Sequence, residues 1–147
     1  ERFSPTKTAD VAGGKGLLRS QMFVRGFSDV TTIDNRKRLA KGRPGQQYGL
    51  FDYRTAENYG LVVGMHPDEA SDHIVLYAAE RRIPFVLCPC CVKPSAAPLS
   101  FESLSNSRSQ PQWFAHLSAL AQARRMIVEW LYLPMRGANL VLIGTPI

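Results

Sequence analysis

The chain has no run of roughly 18 apolar residues, so no transmembrane helix is expected and no membrane partner with it. It carries no charged-then-apolar leader of the kind that directs secretion. It also opens just before its first strand signal, so further residues are expected upstream. Cysteine is scarce: Cys88, Cys90 and Cys91 are all there is, crowded into one short segment. An odd, clustered set cannot build a disulfide framework and points to a reducing intracellular compartment, cytoplasm or mitochondrial matrix. Acidic residues are also few, 12 against 18 Lys and Arg, which leaves a net charge of +6. No internal repeat is present. With 147 residues and an ordinary apolar share of 45%, residues 1–147 can form a single domain with a sizeable core.

Against these absences stands one concentrated signal. It is Asp10-Val11-Ala12-Gly13-Gly14-Lys15-Gly16, with Asp34 eighteen positions beyond the last glycine. Thr8 to Ala12 is β-prone and Leu17 to Val24 opens a helical pattern, so the glycines fall on a strand-to-helix turn. Glycine suits such a turn because a ligand can approach the bare backbone and because positive φ is easily reached. The helix N-terminus that follows offers free N–H groups and the positive end of a dipole. Val30-Thr31-Thr32-Ile33-Asp34 reads as a second strand ending in a carboxylate. That is the spacing at which an acid meets ribose hydroxyls in a nucleoside-binding βαβ unit. The alternative is a glycine-rich turn in some other α/β protein.

Two phosphate-binding patterns are excluded by single residues. A dinucleotide fingerprint needs a small residue where Arg19 stands, and a P-loop needs Ser or Thr where Gly16 follows Lys15. What remains, Asp-x-Ala-x-Gly-x-Gly, resembles motif I of class I S-adenosylmethionine-dependent methyltransferases, with Ala12 in place of the usual first glycine. The resemblance implies a Rossmann-like α/β fold, a mostly parallel central sheet flanked by helices, trimmed at its ends. It implies S-adenosylmethionine as cofactor, bound by Asp10, Ala12, Gly13, Gly14, Gly16 and Asp34, with Asp52 at the adenine. This cofactor has no phosphate, so an acid such as Asp10 is useful beside its cationic methionine portion. For Asp52 a turn or helix-cap role is the equal alternative.

Strand and helix signals alternate along the chain, as in a parallel-sheet domain. Strands are expected at Thr8–Ala12, Val30–Ile33, Tyr48–Asp52, Leu61–Met65, Phe85–Cys88 and Asn139–Ile143. Helices are expected at Gly16–Arg25, Ala70–Arg82 and, longest of all, Trp113–Leu133, ended by Pro134. Basic residues 36–47 are expected as helix or loop. Residues 93–111, rich in Ser and Pro, are expected as a loop or disordered insertion.

In open α/β sheets ligands bind beyond the carboxyl ends of the strands. Asp10 and Gly14, Asp34, Asp52, His66-Pro67-Asp68 and Cys88-Pro89-Cys90-Cys91 all fall there. The run Gly64-Met65-His66-Pro67-Asp68-Glu69-Ala70-Ser71-Asp72, followed by Pro89-Cys90-Cys91, resembles a more particular methyltransferase family. That family has a strand-four histidine and a Pro-Cys-Cys, and includes a tRNA 2′-O-methyltransferase. The likeness runs from about Thr8 to Cys91, with a weaker echo at Gly137–Val141. The chain departs from it in having His66-Pro67-Asp68-Glu69 where many relatives have His-x-Cys-Gly.

Methyl transfer needs a positioned nucleophile and a base to take its proton. His66 and Asp68 are the candidate catalytic residues, each with a structural alternative: a hydrogen bond tying strand four to the next helix for His66, an N-cap for Asp68. Cys88, Cys90 and Cys91 could offer zinc ligands or a thiol nucleophile, but a structural zinc site needs four ligands in spaced pairs. Packing beneath the cofactor is the favoured role for them, and no metal is expected. Arg36, Lys37, Arg38, Lys41 and Arg43 cluster after the second strand and are the candidate RNA-phosphate contacts, a solvated face being the bland reading. Together these point to a methyltransferase acting on RNA, tRNA or rRNA. The alternative is a methyltransferase-like subunit or assembly factor of a ribonucleoprotein, such as a mitochondrial ribosome, with an idle pocket and other protein subunits as partners.

Overall fold

A computed structural model describes residues 3–40, 44–96 and 106–147, with the backbone alone at 40 and 106–109. The described strands are β1 (Thr8–Val11), β2 (Val30–Asp34), β3 (Gln46–Tyr48), β4 (Leu61–Met65), β5 (Phe85–Cys88), β6 (Met126–Tyr132) and β7 (Leu140–Pro146). The helices are α1 (Leu17–Val24), α2 (Lys37–Ala40), α3 (Ser71–Arg81) and α4 (Asn106–Gln122), with a one-turn 3₁₀ helix at Asp68–Ala70.

All seven strands join in one sheet, in the order β3-β2-β1-β4-β5-β7-β6. The first five pair in parallel, and β7 runs antiparallel to both β5 and β6. Ala9, Val11, Val62, Phe85 and Leu87 are buried, as strands covered on both faces require. Helix α3 is buried on all its faces over its middle, with six consecutive residues from Ile74 to Ala79 buried between the sheet and α4. The chain leaves β1 toward β2 on one side and returns to β4 on the other. The strand order therefore reverses between β1 and β4, and that crevice is where ligands bind in open α/β sheets.

Three expectations are corrected. The long helix over Trp113–Leu133 is two elements: α4 ends at Gln122, and β6 follows from Met126. The helical part is legible in Trp113, Leu117 and Ala121, all buried at intervals of four. From Met126 to Trp130 the exposure alternates, and Ile127, Val128, Trp130, Leu131 and Tyr132 are branched or aromatic, as a half-buried strand requires. Arg125 in left-handed backbone makes the break between them. The segment expected as a loop over 93–111 also changes: residues 106–111 belong to α4, which begins five positions before Pro111 although proline favours the first turn. Finally, the third strand is Gln46–Tyr48, not Tyr48–Asp52, so Asp52 lies in the loop beyond it. Among the described residues, no helix is long and apolar enough to cross a membrane.

Candidate functional site

The glycine turn leaves β1 in a run of left-handed backbone, with φ of 54° at Ala12, 59° at Gly14 and 77° at Gly16, the last being the N-cap of α1. Gly13 is demanded by contact. A Cβ there would overlap the Asp10 carboxylate, so only bare backbone fits over it. Asp10 itself is fully buried at the end of β1. Its Oδ2 accepts a 3.0 Å hydrogen bond from the Thr32 hydroxyl, while Oδ1 has no protein partner. Burial pushes its carboxyl up to about 6, against the pull of the Thr32 hydrogen bond and the Arg19 charge.

Asp34 ends β2 only 3% exposed. Its Oδ2 accepts from the Gly14 N–H at 2.9 Å and from the Arg36 guanidinium at 2.8 Å. Its Oδ1 accepts from the Arg36 backbone N–H at 2.9 Å and Nε at 2.8 Å. The Arg36 hydrogen bonds, stronger than the opposing burial, hold this carboxyl below its ordinary range. Asp52 makes the same two-residue clasp with Arg54 and is likewise lowered.

A cleft of about 290 Å³ opens over Ala12, Asp34, Phe51, His66 and Asp68, and a second of about 370 Å³ over Asp10, Gly13, Gly14, Lys15 and Met65. Ala12, Arg36 and His66 line both. His66 has left-handed backbone at φ 56°, and its N–H donates to the Cys88 carbonyl at 2.9 Å. Its Nε2 lies 2.8 Å from the Ala138 carbonyl. A carbonyl oxygen can only accept, so Nε2 carries a proton, and in the neutral ring the lone pair is then on Nδ1. Asp68, also left-handed at φ 49°, opens the 3₁₀ turn and faces Lys93, whose Nζ is 3.5 Å from its Oδ1. Pro67, not Asp68, holds the N-cap position of that turn.

The structure thus brings Asp10, Ala12, Gly13, Gly14, Asp34, His66 and Asp68 to one place. Gly16 stands behind them as the start of α1. Asp52 lines neither cleft; it borders a neighbouring hollow of about 170 Å³, and Gly49, Leu50 and Phe51 line the first cleft in its stead. Lys37 and Arg38 are exposed on α2, while Lys41 and Arg43 lie outside the described residues. Arg36 is in the cleft wall, bound to Asp34. Asp72, in the first turn of α3, is fully buried. It accepts from the backbone N–H groups of His73, Ser95 and Ala96, so it tethers the chain beyond β5 to α3. The sequence offers no spacing that would have exposed this tether. The repeated Asp-x-Arg could have exposed the clasps.

The strand order and the glycine turn at its reversal define the Rossmann-like methyltransferase fold. No family model matches the sequence, and no curated protein matches it significantly. Solved structures match it in shape. A TehB-like S-adenosylmethionine-dependent methyltransferase from Corynebacterium glutamicum superposes with a TM-score of 0.58 at 12% identity, over 99% of this chain and 82% of that one. A fibrillarin pre-rRNA processing protein from Methanococcus jannaschii gives 0.63 at 9% identity, over 96% and 66%. Fibrillarin from Aeropyrum pernix, in complex with natively bound S-adenosyl-L-methionine, gives 0.61 at 10% identity, over 97% and 67%. At such identities the likeness is one of fold.

Proposed function

We propose that this domain binds S-adenosylmethionine and methylates RNA, tRNA or rRNA, as a relative of the methyltransferases that pair a strand-four histidine with a Pro-Cys-Cys. The observation that carries the reading is the pair of clefts meeting at Ala12, Arg36 and His66, at the reversal of strand order. One side has a carboxylate suited to a ribose, Asp34; the other has a buried, half-partnered carboxylate suited to a cation, Asp10. Together the clefts match the volumes of small-molecule sites. Solved neighbours of the same fold include a protein with bound S-adenosyl-L-methionine and a pre-rRNA processing protein, which supports both cofactor and substrate class.

The cofactor supplies a methyl group already made electrophilic by its sulfonium. The chain's own residues then have two tasks. Gly13, Gly14 and Asp34 hold the donor by backbone and carboxylate, and Asp10 complements its positive charge in a low-dielectric pocket. His66, with Nε2–H tied to Ala138, presents Nδ1 as the base that removes the proton of an incoming hydroxyl or ring nitrogen. Lys37 and Arg38, with Lys41 and Arg43, would attract the RNA backbone. Free thiols fit a reducing compartment.

A second reading has one observation in its favour. All four lone-pair positions of Asp34 are filled by Gly14 and Arg36, so no acceptor is left for a ribose while that clasp is closed. A ribonucleoprotein subunit or assembly factor with an idle pocket, docked to other proteins, could keep such a clasp shut. Calorimetry with S-adenosylmethionine separates the two. Binding that is lost in Asp34→Ala supports the enzyme, and no binding at millimolar cofactor promotes the scaffold.

A further inference from the structure

At the carboxyl edge, one strand away from the glycine turn, three metal-ligating side chains converge from two loops. Asp68 comes from the turn after β4; Cys90 and Cys91 come from the loop after β5, the parallel neighbour of β4. Their donor atoms all lie within 4.8 Å of one another, and all three residues are half-buried. The two sulfurs are 3.5 Å apart, and Cys90 Sγ is 3.6 Å from Asp68 Oδ1. A tetrahedral zinc ion, with bonds of about 2.3 Å to sulfur and about 2.0 Å to oxygen, sets its ligands roughly 3.3–3.8 Å apart. The two spacings from Cys90 are those of ligands around one ion, and the third pair, Cys91 and Asp68, lies within 4.8 Å.

We propose that Cys90, Cys91 and Asp68 form a binding site for a thiophilic divalent cation of the zinc class. Two sulfurs and one carboxylate select a borderline-soft ion over magnesium or calcium, which take oxygen. Three protein ligands leave the fourth position to water or substrate, as in zinc sites that do chemistry and unlike closed structural ones. Two thiolates and a carboxylate around a doubly charged ion sum to −1, and the Lys93 ammonium, 3.5 Å from Asp68 Oδ1 and 4.0 Å from Glu69 Oε1, stands beside them as a counter-charge. The frame is held independently of the ion. The Gln110 side-chain amide donates to the Cys90 carbonyl at 3.0 Å, and the His66 N–H donates to the Cys88 carbonyl.

Loading exchanges protons for metal: both thiols lose their protons to solvent, two metal–sulfur bonds form, and no electron moves. Asp68 would then be a ligand, leaving His66 as the sole base of the methyl-transfer reading. The site does not depend on that reading, because it shares only Asp68 with it.

The test uses reduced, metal-stripped protein titrated with Co²⁺ and then Zn²⁺, without cofactor. One Co²⁺ per chain is expected, with sulfur-to-cobalt charge-transfer absorption and the intense visible bands of a four-coordinate centre, both erased by Zn²⁺. Proton uptake by buffer should accompany loading. Cys90→Ser and Cys91→Ser should each roughly halve the charge-transfer band, and the double variant should abolish it. Asp68→Asn should keep the band but weaken affinity by at least the 10–100-fold, in order of magnitude, that losing an outer-shell partner costs. That last variant keeps the question decidable if the cysteine variants fail to fold. Substoichiometric binding, or a spectrum unchanged in the folded double variant, overturns the proposal. Calorimetry with S-adenosylmethionine is a separate measurement, so failure of the metal site leaves the methyl-transfer reading standing.

Discussion

Arg36 grips Asp34 from two residues away, with its backbone N–H, Nε and a terminal guanidinium nitrogen all donating to the same carboxylate at 2.8–2.9 Å. The Arg36 side chain is half exposed, so water competes for it, whereas Asp34 is sealed at 3%. An exposed partner of this kind contributes about 1 kcal/mol or less. A ribose diol approaching Asp34 has to displace it. Arg36→Ala is therefore expected to raise S-adenosylmethionine affinity by up to about fivefold, the equivalent of that 1 kcal/mol. Titration calorimetry reads this directly. A fall in affinity would mean that Arg36 touches the cofactor itself.

Asp10 makes a pH-dependent contribution of opposite sign to that of Asp34. Its carboxyl holds its proton more tightly folded, at about 6 against an ordinary 3.8, because it is buried. The folded state then binds more protons than the unfolded one between those values. Asp10 favours folding below about pH 4, and that advantage is lost as pH rises through about 6, with a ceiling of about 3 kcal/mol. Asp34, held low, contributes above the ordinary carboxylate range and loses its contribution as pH falls. Asp10→Asn should accordingly raise the melting temperature at pH 7 and flatten its fall between pH 4 and 6. The same variant should bind S-adenosylmethionine more weakly at pH 7, because the cation loses its counter-charge. In the wild type, affinity should rise from pH 5 to 7 as Asp10 gives up its proton. An Asp10→Asn variant that melts lower at pH 7 and binds normally would remove Asp10 from the site.

His66 offers a substitution that separates structure from chemistry. His66→Gln can keep an amide N–H for the Ala138 carbonyl, but it has no basic nitrogen. Methyl transfer should fall by about 10²–10⁴-fold, the usual worth of a general base, while cofactor affinity stays within about twofold. Single-turnover rates on a bulk tRNA or rRNA substrate measure the first, and calorimetry the second. Unchanged turnover in His66→Gln would leave the ring with only its structural hydrogen bond.

Apart from β3, expected two residues too late, the parallel half of the sheet is legible in the sequence because its signals are local. Leu61–Met65 and Phe85–Cys88 are short apolar runs with breakers on both sides, and the glycine turn marks its own strand and helix. In the C-terminal half the last strand is legible, expected at Asn139–Ile143 and found at Leu140–Pro146, but the segment before it is not. Apolar residues recur along all of Trp113–Leu133, and a helical period of 3.6 shifts to a strand period of 2 with only Arg124-Arg125 to mark the change. The pairing that makes Met126–Tyr132 a strand comes from β7, beyond the next turn of the chain. In the site, the placement of Asp10, Asp34 and His66 at the strand reversal follows from counting along the chain. What fills their hydrogen bonds does not. The Arg36 clasp, the Ala138 carbonyl on His66 and the buried Asp72 depend on tertiary geometry that spacing does not encode.

The Arg36–Asp34 pair also changes what the basic segment can do. Because Arg36 is engaged in the cleft wall, RNA phosphates would meet Lys37 and Arg38 on α2, together with Lys41 and Arg43 beyond it. Each phosphate that a side chain ceases to neutralise on single-stranded RNA lowers the slope of log K against log salt by about 0.7. Removing the charges of Lys37, Arg38, Lys41 and Arg43 together should then reduce that slope by nearly 3, on the order of four such steps. Arg36→Ala alone, measured without cofactor, should leave it almost unchanged. The measurement is RNA affinity by fluorescence anisotropy across a salt series. An Arg36→Ala variant that lowers the slope by a full step would show that the clasp opens onto RNA rather than onto ribose. A fourfold variant with wild-type affinity and slope would make the segment a solvated face, and the methyl acceptor would have to be sought among uncharged substrates.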